Sequence, residues 1–84
     1  MSRAKDVVEV IARALVDQCD LVDVHESERR DGPHVEVRTA EGDLGKIIGR
    51  QGRTAAAIRA LAGIATEREG QRATVDFLDE DGRA

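Results

Sequence analysis

Between Gly45 and Arg53 the chain reads Gly-Lys-Ile-Ile-Gly-Arg-Gln-Gly-Arg. Gly49 and Gly52, three apart, interrupt two apolar helical stripes and let the backbone turn sharply. With no side chain at either position, a sugar–phosphate backbone can come close. The N–H groups that open the following helix favour phosphate. Lys46, Arg50 and Arg53 add positive charge, and Gln51 adds a hydrogen-bonding amide. Ile47, Ile48 and Ile58 are spaced to hold the helix pair that carries the loop and to line the groove beside it. Spacing alone shows a glycine turn with basic flanks, which also reads as a plain helical corner with solvated arginines.

Other chemistries find no support. A P-loop needs Gly-x-x-x-x-Gly-Lys followed by Ser or Thr, and no such string occurs. A dinucleotide fingerprint needs a strand running into Gly-x-Gly-x-x-Gly, whereas Gly45, Gly49 and Gly52 are spaced differently and follow a helical stripe. Cys19 has no base nearby in sequence and reads as a small, partly buried filler. His25 and His34 flank a hairpin without further ligands at metal-binding spacing, and read as exposed strand residues. The carboxylates show no pairing for acid–base work. The expectation is a non-catalytic protein with no cofactor and no metal.

The net charge of −4 argues against a polyanionic partner, but the average conceals an asymmetry. From Leu44 to Thr66 there is no acidic residue and four basic ones, Lys46, Arg50, Arg53 and Arg59. The remainder holds 9 basic and 17 acidic residues, a balance of −8. Local potential decides where a polyanion lands. Phe77 is the single aromatic residue, so base stacking on surface rings, as many RNA-binding sheets and barrels use, is not available. One cysteine, no leader-like pattern and no long apolar run suggest a cytoplasmic protein that does not enter a membrane.

The elements that must position the loop follow from periodicity. Residues 4–18 carry Val7, Val8, Ile11, Ala12, Leu15 and Val16 on one helical face, with Ser2 as N-cap and Arg13 paired to Glu9 and Asp17. Residues 21–29 and 34–40 alternate as half-buried strands. The Asp31-Gly32 pair marks a hairpin between them, and Pro33 predicts a turn longer than two residues. Arg29 and Arg30 border that turn, offset by Glu26, Glu28 and Asp31; they read as a solvated turn or as a border of the binding groove. Asp43 is placed to cap a short helix bearing Leu44, Ile47 and Ile48, and a second helix resumes near Arg53. Residues 72–78 form the last strand, with Ala73, Val75 and Phe77 inward. Residues 79–84 are an acidic tail expected to be disordered. The resulting class is α+β, in the order α-β-β-α-α-β, as one three-stranded sheet with three helices on a single face.

Ile48-Gly49-Arg50-Gln51-Gly52 followed by Ile58 resembles the Ile-Gly-x-x-Gly core of the KH domain, whose loop clamps about four nucleotides by their backbone. The element order resembles the bacterial type II arrangement. The size resembles the small stand-alone KH proteins of bacteria, the KhpA or YlqC-like family, over nearly the whole chain. That resemblance implies one KH domain over residues 1–78, and a cytoplasmic RNA chaperone or post-transcriptional regulator that binds single-stranded RNA. It also implies a homodimer or a larger KH-containing partner. The residues expected at the RNA are Lys46, Ile47, Ile48, Gly49, Arg50, Gln51, Gly52 and Arg53. The alternative is an adaptor that keeps the fold and binds protein with little affinity for RNA.

Overall fold

The computed structural model describes residues 3–82. Helix α1 spans Arg3–Leu15 and buries Ala4, Val8 and Ala12, a four-residue spacing that puts one narrow stripe of small side chains on the core. The helix ends at Leu15, three residues short of the expected residue 18; Val16 still packs against the core from the connector, and Asp17 meets Lys46 of another element. The expected Arg13–Asp17 pair is therefore replaced, while Arg13 meets Glu9 at 3.0 Å. The Ser2 cap lies outside the described residues.

Strand β1 (Asp23–Arg29) pairs antiparallel with β2 (Gly32–Thr39), and Arg29 lies opposite Gly32. The hairpin turn is thus the two residues Arg30 and Asp31, shorter than Pro33 suggested. Gly32 takes up the bend with a φ of +150° that side chains rarely adopt. Pro33 then sits inside β2, opposite Glu28 and one residue before pairing with the third strand begins at His34, so that neighbour asks nothing of its missing N–H.

A one-turn 3-10 segment (Glu41–Asp43) leads into α2 (Leu44–Ile48); the glycine loop follows, then α3 (Arg53–Glu67) and β3 (Thr74–Asp79). The sheet order is β1-β2-β3, with β3 parallel to β2, so α2 and α3 form a crossover between parallel neighbours. Val24, Val35, Val37, Val75 and Phe77 from the sheet share one core with Ala4, Val8 and Ala12 of α1, Ile47 of α2, and Ala55, Ile58 and Ala62 of α3. All three helices therefore cover the same face. This is the α+β arrangement with order α-β-β-α-α-β that the periodicity predicts. After β3 the chain turns again, Gly82 N–H reaching the Asp79 carbonyl at 3.0 Å. No helix among the described residues is long and apolar enough to cross a membrane.

Candidate functional site

The loop between α2 and α3 is built from three successive departures from ordinary backbone. Gly49 has φ +75° and ψ 173°, Gln51 has φ +58°, and Gly52 has φ +72°. Gln51 is the one non-glycine residue at positive φ among those described. Gly49 N–H closes α2 on the Gly45 carbonyl at 2.9 Å, and Gly52 N–H turns back to the Gly49 carbonyl at 3.1 Å. The two glycines differ in what surrounds them. A Cβ on Gly49 would collide with the Thr54 side chain and stand 3.1 Å from its backbone nitrogen, whereas a Cβ on Gly52 would meet nothing within 4 Å. Gly49 is needed for packing inside the corner; Gly52 keeps the outer side of the corner bare.

Gly52 also occupies the N-cap position of α3, so no side chain caps the first N–H groups of that 15-residue helix. The first of them, the Arg53 N–H, turns back to the Arg50 carbonyl, and the donors that follow lie at the positive end of the helix dipole. Arg50, Gln51 and Arg53 are exposed around them. The Gln51 amide oxygen accepts from an Arg53 guanidinium nitrogen at 3.0 Å, which steadies Arg53 beside the loop. Arg50 has no ion-pair partner among the described residues. N–H groups without a side-chain cap and two guanidiniums that no carboxylate neutralises are features that favour an anion.

The other residues singled out around the loop are placed differently. Ile47 is completely buried and supports the loop from beneath; Ile48 is half-buried against the core. Lys46 points away into two carboxylates, with Nζ 2.7 Å from Asp17 Oδ2 and 3.1 Å from Asp43 Oδ1. Asp43, expected to cap α2, makes no cap hydrogen bond. Its buried carboxylate accepts instead from the Gln18 N–H at 3.0 Å and from Lys46. The Gln18 N–H, with help from Lys46, holds the Asp43 carboxyl below its usual range against the opposing effect of burial. Hydrogen bonds to Asp17 and Asp43 hold the Lys46 ammonium above its usual value. These groups pin the start of α2 to the chain leaving α1.

Arg59, the fourth base of the acid-free stretch, is turned to the sheet. Its Nε donates to the Val75 carbonyl at 3.1 Å, and its guanidinium lies 5.1 Å from the Phe77 ring centroid. It thereby ties the middle of α3 to the edge strand β3. At the far end of α3 an open cleft of 750 Å³ is lined by Ala60, Gly63 and Ile64 on one side and by Gly70, Gln71 and Arg72 on the other. Sequence reading missed this cleft. The small residues at 60 and 63 were a signal, but the opposite wall comes from the α3–β3 connector.

Two further readings change. Cys19 is exposed at a 3-10 turn rather than partly buried. His34 is only 6% exposed, with Nδ1 2.7 Å from Thr74 Oγ1 and Nε2 3.3 Å from Asp76 Oδ2, while His25 sits exposed beside Asp23. Across the β1–β2 pair His34 lies opposite Ser27, and His25 opposite Glu36. Among the described residues no group of three or more His, Cys, Asp or Glu side chains is placed to hold a metal ion.

Comparison with known proteins gives one consistent result. The family model for the KhpA/KhpB KH domain matches residues 5–77. A protein of Halalkalibacterium halodurans named RNA-binding protein KhpA is 44% identical over 77 residues, covering 89% of this chain and 99% of the relative. One of the same name from Mycobacterium tuberculosis is 47% identical over 77 residues, covering 90% and 91%. The Aquifex aeolicus protein of that name is 39% identical over 79 residues, covering 94% and 100%. No solved structure gives a significant match.

Proposed function

The chain belongs to the KhpA/KhpB KH-domain family, and from that membership we propose that it is a non-catalytic RNA-binding protein gripping single-stranded RNA at the Gly49–Gly52 loop. The observation that carries the reading is the bare corner at Gly52, where α3 opens without a side-chain cap and the exposed Arg50 and Arg53 flank the turn. A phosphodiester entering there meets backbone donors along the helix axis and guanidinium donors from the sides. Gln51 orients Arg53, Gly49 shapes the corner, and Ile47 and Ile48 hold it against the core. Lys46 acts in this scheme through Asp43 and Asp17, by fixing α2, rather than at the phosphate.

Phosphate contacts fix the strand in place but read little sequence, so selectivity for particular bases is modest. Few phosphates are engaged, so affinity per domain is weak, and a second copy or a larger KH-containing partner raises it through effective concentration. Binding of this kind suits an RNA chaperone or post-transcriptional regulator working in the cytoplasm. The domain runs through β3 to Asp79, which pairs with Thr39, one residue past the boundary expected from the sequence, and Glu80 and Asp81 follow the strand.

The test is fluorescence anisotropy with pooled single-stranded RNA at low salt, comparing the native chain with Arg50→Asp/Gln51→Asp. Asp tolerates the left-handed backbone at position 51, so the double variant is expected to fold, which circular dichroism checks. Binding by the native chain and its loss in the folded variant support the loop as the clamp. Equal binding by both moves the site elsewhere, and no binding by either favours the adaptor reading.

A further inference from the structure

Few hydroxyl groups of the fold stand where another enzyme can reach them. Among the described residues Thr39 and Thr66 are buried, and the Thr54 side chain fills the space beside Gly49. Ser27 and Thr74 are exposed. Ser27 stands between Glu26 and Glu28 in the chain, a setting that opposes a further negative charge. Thr74 is placed differently. It opens the edge strand β3, on the face of the sheet away from the helices, since Val75 and the alternate residue Phe77 point into the core.

Thr74 lines a notch of 380 Å³ together with Arg29 at the end of β1, Arg30 of the hairpin turn and Arg72 of the α3–β3 connector. Gly32 lets these segments meet, because a Cβ there would stand 2.7 Å from the Arg72 carbonyl oxygen. The Arg72 N–H then bonds the Asp31 carbonyl at 2.9 Å. None of the three guanidiniums has a hydrogen-bond or ion-pair partner among the described residues, in contrast to Arg13 on Glu9 and Arg38 on Glu36. Asp31 is the one carboxylate in the lining, so three positive charges face one negative and two are left over. A threonine phosphate carries about −1.5 to −2 at neutral pH, which matches that surplus. On its other side Thr74 Oγ1 lies 2.7 Å from His34 Nδ1, while His34 Nε2 lies 3.3 Å from Asp76 Oδ2. The imidazole ring therefore stands between the hydroxyl and the Asp76 carboxylate.

We propose that Thr74 is a phosphorylation site, and that Arg29, Arg30 and Arg72 hold the phosphate once it is attached. The phosphoryl donor is ATP and the catalyst is a separate serine/threonine kinase. Thr74 Oγ1 bonds to the γ-phosphorus, the bond from that phosphorus to the ADP oxygen breaks, and the hydroxyl proton passes to the catalytic base of the kinase. Residues 71–73, just before the acceptor, form neither helix nor strand, so a kinase can take them in extended form. After transfer, the guanidinium forks meet the phosphate oxygens in charge-assisted hydrogen bonds. The modified residue then clamps the hairpin turn to the connector and to the start of β3, adding to the Arg72–Asp31 bond. The proposal does not depend on where the chain holds RNA.

The test has two arms. In the first, the native chain is incubated with ATP and a kinase that selects arginine two residues before its acceptor, the place Arg72 holds before Thr74. Peptide mapping by mass spectrometry should find the phosphate on Thr74, and Thr74→Val should remove it. In the second, phosphothreonine is installed at position 74 during synthesis. The ionisation midpoint of its phosphate, read by phosphorus NMR, should fall below the ordinary value of about 6. The thermal unfolding midpoint should rise by about 4–8 °C over the unmodified chain. Arg29→Gln/Arg30→Gln/Arg72→Gln, checked for folding by circular dichroism, should cancel both changes; Arg72→Gln alone serves the comparison if the triple variant does not fold. A chain that takes no phosphate, or takes it on Ser27 instead, overturns the proposed acceptor. A midpoint and melting shift that are the same with and without the arginines overturn the cradle.

Discussion

At Gly49 two independent facts exclude a side chain: a backbone at positive φ and the Thr54 side chain occupying the space a Cβ needs. Gly52 shares the first fact only. Left-handed backbone costs a non-glycine residue about 1–2 kcal/mol, so Gly52→Ala should lose about that much stability in urea denaturation. Gly49→Ala should lose clearly more, because Thr54 must also move. RNA affinity should rank the other way among molecules still folded, since a methyl at 52 intrudes on the anion corner while one at 49 faces inward. Equal stability losses would mean that the Thr54 side chain carries no weight. The same scale separates Arg50 from Lys46. Both read from the sequence as phosphate ligands, since nothing local distinguishes one base beside a glycine loop from another. Only the fold reveals that Asp17, 29 residues away, closes on Lys46. Arg50→Gln should therefore weaken RNA binding and flatten its salt slope by about 0.7, whereas Lys46→Gln should lower the unfolding midpoint and leave the slope unchanged. A flattened slope in the Lys46 variant would return that side chain to the phosphate.

The elements were legible where their signal was local. Alternation at Val22, Val24, Val35 and Val37 and the helical stripes around Ile47 and Ile58 gave the order and most inward faces, because burial on one face imposes those periods, but Leu15 and Leu61, at helical spacing with buried residues of α1 and α3, are exposed. What escaped was set by partners distant in sequence. Asp43 has the position of a helix cap, yet the Gln18 N–H, 25 residues away, takes its carboxylate. That cross-link makes the attachment of α2 depend on pH, and its sign can be worked out. The folded Asp43 carboxyl lies below its ordinary value, so its contribution is present above that value and is lost as pH falls through the lower folded one. The window lies below about pH 4. Lys46 is raised, so its contribution is present below the ordinary lysine value and lost only as pH rises above about 10. Thermal melts of the native chain and Asp43→Asn from pH 7 downward should show the variant less stable at neutral pH and falling less steeply through the acid window. Parallel curves would show that Asp43 titrates alike in the folded and unfolded chain.

At the scale of the whole molecule, net charge and local charge make opposite forecasts. A chain of net charge −4 repels RNA on average, and salt, by screening that repulsion, would strengthen any binding that average charge controlled. The acid-free stretch of the sequence pointed the other way, and the fold sharpens it in a manner composition could not. Lys46 is neutralised by two carboxylates and Arg59 is committed to β3, so Arg50 and Arg53 alone carry that stretch's charge at the loop, beside the uncapped end of α3. If binding is local, salt must weaken it. A loop holding about four nucleotides engages roughly three or four phosphates, which sets a log–log slope for single strands between about −2 and −3. Titrating the native chain with single-stranded RNA over a tenfold range of salt reads that slope directly. A negative slope of this size means the chain binds by its corner in spite of its average charge. A flat or positive slope means that the corner does not control binding, and no adjustment of individual side chains there would restore the proposed clamp.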